Sequence, residues 1–181
     1  MRSIFDRFFR KLREHRNDLK EADGITAFKS NDEDVIATGF PLVPDGYHLQ
    51  HVGKTVQGNG YWIDVQRASE GEGTRDFVAA YVFDEKGNLI HSEVVDRGLR
   101  NDSPAKDLGE TIRKLKKKID AKNVTEILVK PFSVPFHGYI FGLVVREAED
   151  GEAVSEDTII DAMPGHTLMF YGPWSLCNYD S

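Results

Sequence analysis

Cysteine is nearly absent: Cys177 is the single thiol among 181 residues. An internal disulfide is therefore excluded, and so is a structural zinc site built on paired cysteines of one chain. Long apolar runs are missing as well. No stretch approaches the roughly 20 apolar residues that carry a helix across a bilayer. The first residues lack the apolar run and small-residue cleavage site of a secretory leader. The expectation is a cytoplasmic protein. Positive charge is in deficit, with 23 Lys and Arg against 30 Asp and Glu and a formal net charge of -7. Phosphate binding needs a surplus of cations on the contacting face, so nucleic acid is not an expected partner.

Catalytic signatures are lacking too. None of the six histidines falls in an HExxH or HxH pattern, and Ser175 has no nucleophile elbow around it. The "VGKT" of residues 52–55 lacks the glycine that a phosphate loop places five positions before Gly53, where the chain has His48. Cys177 has no cationic neighbour in sequence to activate it. No catalytic, cofactor-binding or metal-binding set is expected, and no cofactor.

What is present is ordinary globular composition, 40% apolar and 29% charged. The charge is segregated. Residues 1–20 carry +4 and the remainder -11. Residues 3–20 read as a helix with Ser3 as its cap. Phe5, Phe8, Phe9, Leu12 and Leu19 fall on one side at helical spacing, with Arg7, Arg10 and most other arginines opposite. Three readings stand for this arm: docking on its own acidic body, contact with a partner or second copy, or lying on a membrane surface. Asp6, Glu14 and Asp18 weigh against the membrane.

From residue 47 the apolar period changes to two. Residues 47–53 and 60–68 read as paired strands around Gly58-Asn59-Gly60, and 75–84 and 89–96 as a hairpin around Gly87. A helix is expected over about 104–121, capped by Ser103, with Ala105, Leu108, Ile112, Leu115 and Ile119 as its apolar stripe. Residues 126–132 and 137–147 are further strands. Pro135 cannot donate to a ladder and marks an edge or crossover between them. Residues 157–163 and 167–171 form a last hairpin around Pro164-Gly165, a type II turn pair. The sum is an α+β fold. About seven or eight mostly antiparallel strands form a bent sheet packed against one amphipathic helix. Residues 1–22 are an arm and 23–181 a single domain.

Two places invite a binding role. In 137–147, Gly138 and Gly142 share a strand face and leave a shallow depression. Either the 105–119 helix docks there, or it is a pocket floor with His137 and Tyr139 at the rim and Asp64 and His91 as further polar groups. A metal held by His51, His91 and Asp64 is a weaker variant. Asp64 and Gln66 alternate with Trp62 on one face, and such polar faces belong to the solvated side of an antiparallel sheet. The second place is the aromatic surplus at Phe132, Phe136, Tyr171 and Trp174, residue types enriched in interface hot spots. In the tail, Leu168 and Phe170 face one way and Met169 and Tyr171 the other, which predicts an inner strand with Trp174 plugging one end of the core. The leading functional expectation is a non-catalytic binding or adaptor protein acting on an unknown protein partner or on itself. A small-ligand protein or small enzyme at Gly138/Gly142, and a peripheral membrane protein held by residues 1–20, are the alternatives.

Overall fold

The computed structural model describes residues 38–100, 106–147, 158–172 and 174–181. Residues 1–37 lie outside them, and with them Phe5, Arg7, Phe8, Phe9, Arg10 and Leu12 of the expected arm.

The centre of the fold is a three-strand meander. β3 (Gly60–Glu70), β4 (Gly73–Phe83) and β5 (Leu89–Leu99) pair antiparallel in sequence order. Tight turns join them: Gly71-Glu72 connects β3 to β4, and Asp84 accepts the Lys86 and Asn88 N–H groups in the turn before β5. The run Phe77–Phe83 of β4 is apolar without alternation, which a strand adopts when both its faces are covered. Phe77, Ala79, Tyr81 and Phe83 point into one apolar cluster; Val78, Ala80 and Val82 point into another.

The second cluster is closed by α1 (Lys106–Lys118), whose Leu108, Ile112 and Leu115 pack with Ile119 over Tyr61, Ile63, Val78, Ala80 and Val82. The helix therefore covers the outer face of the β3–β4–β5 sheet. It does not dock on Gly138 and Gly142 as expected. The first cluster is closed by a second sheet. β2 (Val52–Thr55) and β6 (Ala121–Val124) complete the first in the order β5-β4-β3-β2-β6. The second has the order β12-β11-β10-β9-β8, built from β8 (Phe132–Phe136), β9 (Tyr139–Glu147), β10 (Thr158–Met163), β11 (Met169–Phe170) and β12 (Tyr179–Asp180). A short pair, β1 (Phe40–Leu42) with β7 (Ile127–Val129), adds Phe40, Leu42, Ile127 and Val129 to the core between the sheets.

The fold is thus sheet-dominated and antiparallel, with one helix among the described residues. Instead of seven or eight strands in one bent sheet, twelve strands among the described residues form three sheets. The reason is local. The 126–132 segment breaks into β7 and β8, since Pro131 interrupts it, and the two halves pair with different partners. The 137–147 segment starts later than expected. His137 and Gly138 are a two-residue turn with φ of 50° and 80°, and Phe136 pairs directly with Tyr139. Both turn positions need the left-handed region, which glycine enters freely and histidine more readily than most side chains. Pro135 sits on β8, the edge of its sheet, where no donor is required. The last hairpin also differs: the Met163–Pro164 peptide is cis, unlike the trans bond of a type II turn.

The aromatic tail finishes the core. β11 lies between β10 and β12, with Leu168 and Phe170 buried. The Phe170 ring lies 5.1 Å from Phe40 and 5.6 Å from Tyr179, and Trp174 packs 6.1 Å from Phe40.

Candidate functional site

Strand β3 sends Trp62, Asp64, Gln66 and Ala68 to the same side. That side is the interior between the two sheets, not the solvated face expected for Asp64 and Gln66. Asp64 is 8% exposed and Gln66 1%. The flanking Trp62 and Ala68 decide the orientation, since both belong to the apolar cluster between the sheets.

Buried polar groups need partners, and here a loop from the second sheet supplies them. One Asp64 carboxylate oxygen accepts the Val65 N–H at 2.9 Å. The other accepts the Gln66 side-chain amide and, at 3.4 Å, the Thr167 hydroxyl. Gln66 also donates to the Thr167 hydroxyl oxygen at 3.0 Å, and its carbonyl oxygen accepts the Gly165 N–H at 2.9 Å. A side chain at 165 would stand 2.7 Å from the Arg67 carbonyl oxygen, so only glycine brings the loop this close. Between these contacts, His166 Nδ1 lies 2.6 Å from Asp161 Oδ2, which also accepts the Arg146 Nε–H at 2.8 Å. Gly165, His166 and Thr167 thereby tie β3 of one sheet to β10 and β9 of the other.

The electrostatics follow from burial. Loss of water pushes the Asp64 carboxyl up to about 6, against the hydrogen bonds from Gln66, Val65 and Thr167 that favour its charge. Trp62 and Tyr81 stand directly opposite each other across the β3–β4 ladder, ring centroids 5.3 Å apart. Each is 1% exposed. Trp62 Nε1 and the Tyr81 hydroxyl have no hydrogen-bond partner among the described residues. Burial, reinforced by the Asp64 charge, pushes the Tyr81 hydroxyl well above its ordinary value, so it stays a neutral donor. The set combines two unanswered donors, a protonatable acid and aromatic walls, Phe132 lying 4.7 Å from the Tyr81 ring. Chemically, the set offers two hydrogen-bond donors to an acceptor. The one hydroxyl of nucleophilic type in it, that of Thr167, is already engaged by Asp64 and Gln66.

The other candidate residues are dispersed. Gly138 is in the β8–β9 turn and Gly142 is on β9, with the Phe132 ring and carbonyl filling the place where a side chain would be. The shared face and its depression do not form. His137 Nδ1 lies 3.2 Å from Asp96 Oδ2, and its ring stacks on Phe136 at 4.4 Å. Tyr139 donates to the Ser69 carbonyl at 3.2 Å and packs against Phe77. His91 pairs with Val82 and so lies on the helix side of the sheet, opposite Asp64. His51 is half-buried; loss of water, and the charge of Lys116 next, push its imidazole below the ordinary value. His51, His91 and Asp64 therefore do not converge, and no group of three metal-ligating side chains occurs among the described residues.

Three of the four surplus aromatics, Phe132, Phe136 and Trp174, face inward. Phe132 is 7% exposed, and Phe136 and Trp174 pack against the inter-sheet core. Tyr171 is half-buried. The residues missed at the sequence level are Tyr81, Gly165 and Thr167. Their one available signal was Gly165-His166-Thr167, a polar turn inside an apolar tail. Compared with protein-family models, with curated proteins and with solved structures, the chain matches none.

Proposed function

We propose that this chain is a non-catalytic binding protein that holds a small, uncharged ligand between its two sheets, anchored by Trp62, Asp64, Gln66, Tyr81 and Thr167. One observation carries the reading: two fully buried donors, Trp62 Nε1 and the Tyr81 hydroxyl, stand unanswered beside a buried acid. An unmet buried donor costs about 1–3 kcal/mol, and a ligand acceptor removes that cost. An anion would be repelled by Asp64 above about pH 6, which favours a neutral molecule with carbonyl or hydroxyl groups. Aromatic walls suit such a ligand.

The site replaces the Gly138/Gly142 depression as the place for a ligand. The adaptor reading keeps the charge segregation of residues 1–20 as its support and loses the inward-facing aromatics. A cytoplasmic location and the absence of nucleic-acid partners remain part of the proposal. Among the described residues no helix is long and apolar enough to cross a membrane.

Native mass spectrometry of the gently purified full chain tests it. The expected result is a discrete mass excess that disappears on denaturation and is lost or reduced in Tyr81→Phe. An apo mass from every preparation, with thermal stability unchanged in Tyr81→Phe, would mean that internal water serves the two donors and would overturn the reading.

A further inference from the structure

A strand with one wet face alternates between buried and exposed residues, and a strand buried without alternation has both faces covered. β4 is of the second kind, and α1 is the cover on its outer side. β10 is another. Ile159, Ile160, Asp161 and Ala162 are buried in succession. Ile160 and Ala162 point into the core between the sheets. Ile159 and Asp161 point the other way, opposite Arg146 and Val144 of β9, yet each is 0% exposed. On the same outer face Ile140, Val144, Met163 and Met169 are half-buried. Asp161 and Arg146 form an ion pair there at 2.8 Å, beside the Met169 sulfur. The second Asp161 oxygen is buried and has no hydrogen-bond partner among the described residues. No described element supplies the cover: α1 lies on the first sheet, β1 and β7 feed the core between the sheets, and Ile159 belongs to neither apolar cluster.

The cover is therefore to be sought outside the described residues, and the sequence narrows the choice. Residues 101–105 lead into α1 on the other sheet. Residues 148–157 hold five acids and one large apolar residue, Val154. Residues 1–37 hold the apolar stripe of Phe5, Phe8, Phe9, Leu12 and Leu19. Charge favours this segment over a second copy: residues 1–20 carry +4 and the remainder -11, whereas two whole chains of -7 each repel. The connection suits it as well. Residue 38 leads into β1, whose Phe40 ring lies 5.1 Å from Phe170 of β11, so the segment joins the described fold beside the second sheet. A helix over residues 3–20 would be about 27 Å long, which matches nine-residue β9 at about 3.3 Å per residue. We propose that residues 3–20 pack their apolar stripe on the outer face of β9, β10 and β11, as α1 packs on the first sheet, giving four layers in the order helix, sheet, sheet, helix.

Photocrosslinking of the full chain tests the packing. The protein has three methionines, and Met163 and Met169 both lie on this face. A diazirine analogue close to methionine in size takes their place, and the irradiated products are mapped by mass spectrometry in a mixture of unlabelled and isotope-labelled chains. Links from positions 163 or 169 to residues 5–19 of the same chain are expected. Links to residues 5–19 of a differently labelled copy would mean an exchange between chains and overturn the proposal. Links to none of residues 5–19 would leave the stripe for a partner or a membrane, and would sink it equally. Phe8→Asp combined with Phe9→Asp should abolish the links and speed amide exchange of residues 158–163 about tenfold or more, beyond any change in residues 77–83. Unchanged exchange at 158–163 speaks against the packing. Where the variant does not fold, the links in the unmutated chain decide. The packing stands apart from ligand binding, which uses the opposite side of the second sheet, so its failure would leave the mass-excess result unaffected.

Discussion

At the scale of the residue, Asp64 shows how burial turns an ordinary side chain into a pH-dependent one. Its carboxyl is raised from 3.8 to about 6. Below about pH 4 both the folded and unfolded chains hold the proton. Between about pH 4 and 6 the unfolded chain releases it while the folded chain retains it, so stability falls as pH rises through this window and stays reduced above it. The full cost is about 3 kcal/mol at neutral pH. Asp64→Asn removes it, at the expense of a poorer hydrogen bond worth about 1 kcal/mol. The expected outcome is a variant less stable than, or equal to, the wild type near pH 4 and more stable near pH 7 in urea unfolding. Parallel pH profiles for the two proteins would show that Asp64 titrates normally.

At the scale of the element, β4 and α1 explain each other. The helix is charged on most of its circumference and has lysines at 116, 117 and 118 in its last turn, where they complement the helix dipole. Its hold on the sheet comes from a narrow apolar stripe. Leu115, 3% exposed, is the deepest side chain of that stripe. Leu115→Ala is expected to cost about 2–5 kcal/mol, read from the urea midpoint at unchanged slope. The exposed Lys114, which pairs with Glu110 at 2.9 Å, should tolerate alanine within about 0.5 kcal/mol. If the two substitutions cost the same, α1 does not pack on β4 as described.

At the scale of the whole molecule, the C-terminal segment closes the core that the first half opens. Phe170 joins β11 to Phe40 of β1, and Leu168 is buried beside it. These contacts link residues about 130 positions apart in the chain. Phe170→Ala is expected to cost about 3–5 kcal/mol. Removal of residues 168–181 should leave the β10 edge bare and abolish soluble, cooperatively unfolding protein. A truncated chain that melts cooperatively near the wild-type temperature would show that the tail is an accessory.

Local chemistry was legible in the sequence wherever neighbours in the chain are neighbours in space. The β4–β5 hairpin shows it: the strands fell where expected and Gly87 carries the positive φ its turn requires. So does α1, whose Leu108, Ile112 and Leu115 pack as their spacing demands, Ser103 and Ala105 lying outside the described residues, and so does Pro135, held at a sheet edge. The tail's two-sided apolar pattern marked β11 as an inner strand for the same reason. The His137-Gly138 turn was readable in principle, but the apolar residues on either side hid it inside one long strand. Which face of a strand meets what was decided only by tertiary structure. Trp62, Asp64 and Gln66 alternate identically whether the face is wet or dry, and the second sheet makes it dry. The meeting of Asp64 and Gln66 with Gly165 and Thr167 spans about 100 residues and leaves no periodic trace. Alternation fixes that residues share a face; only the packing of one sheet on another sets what that face can bind.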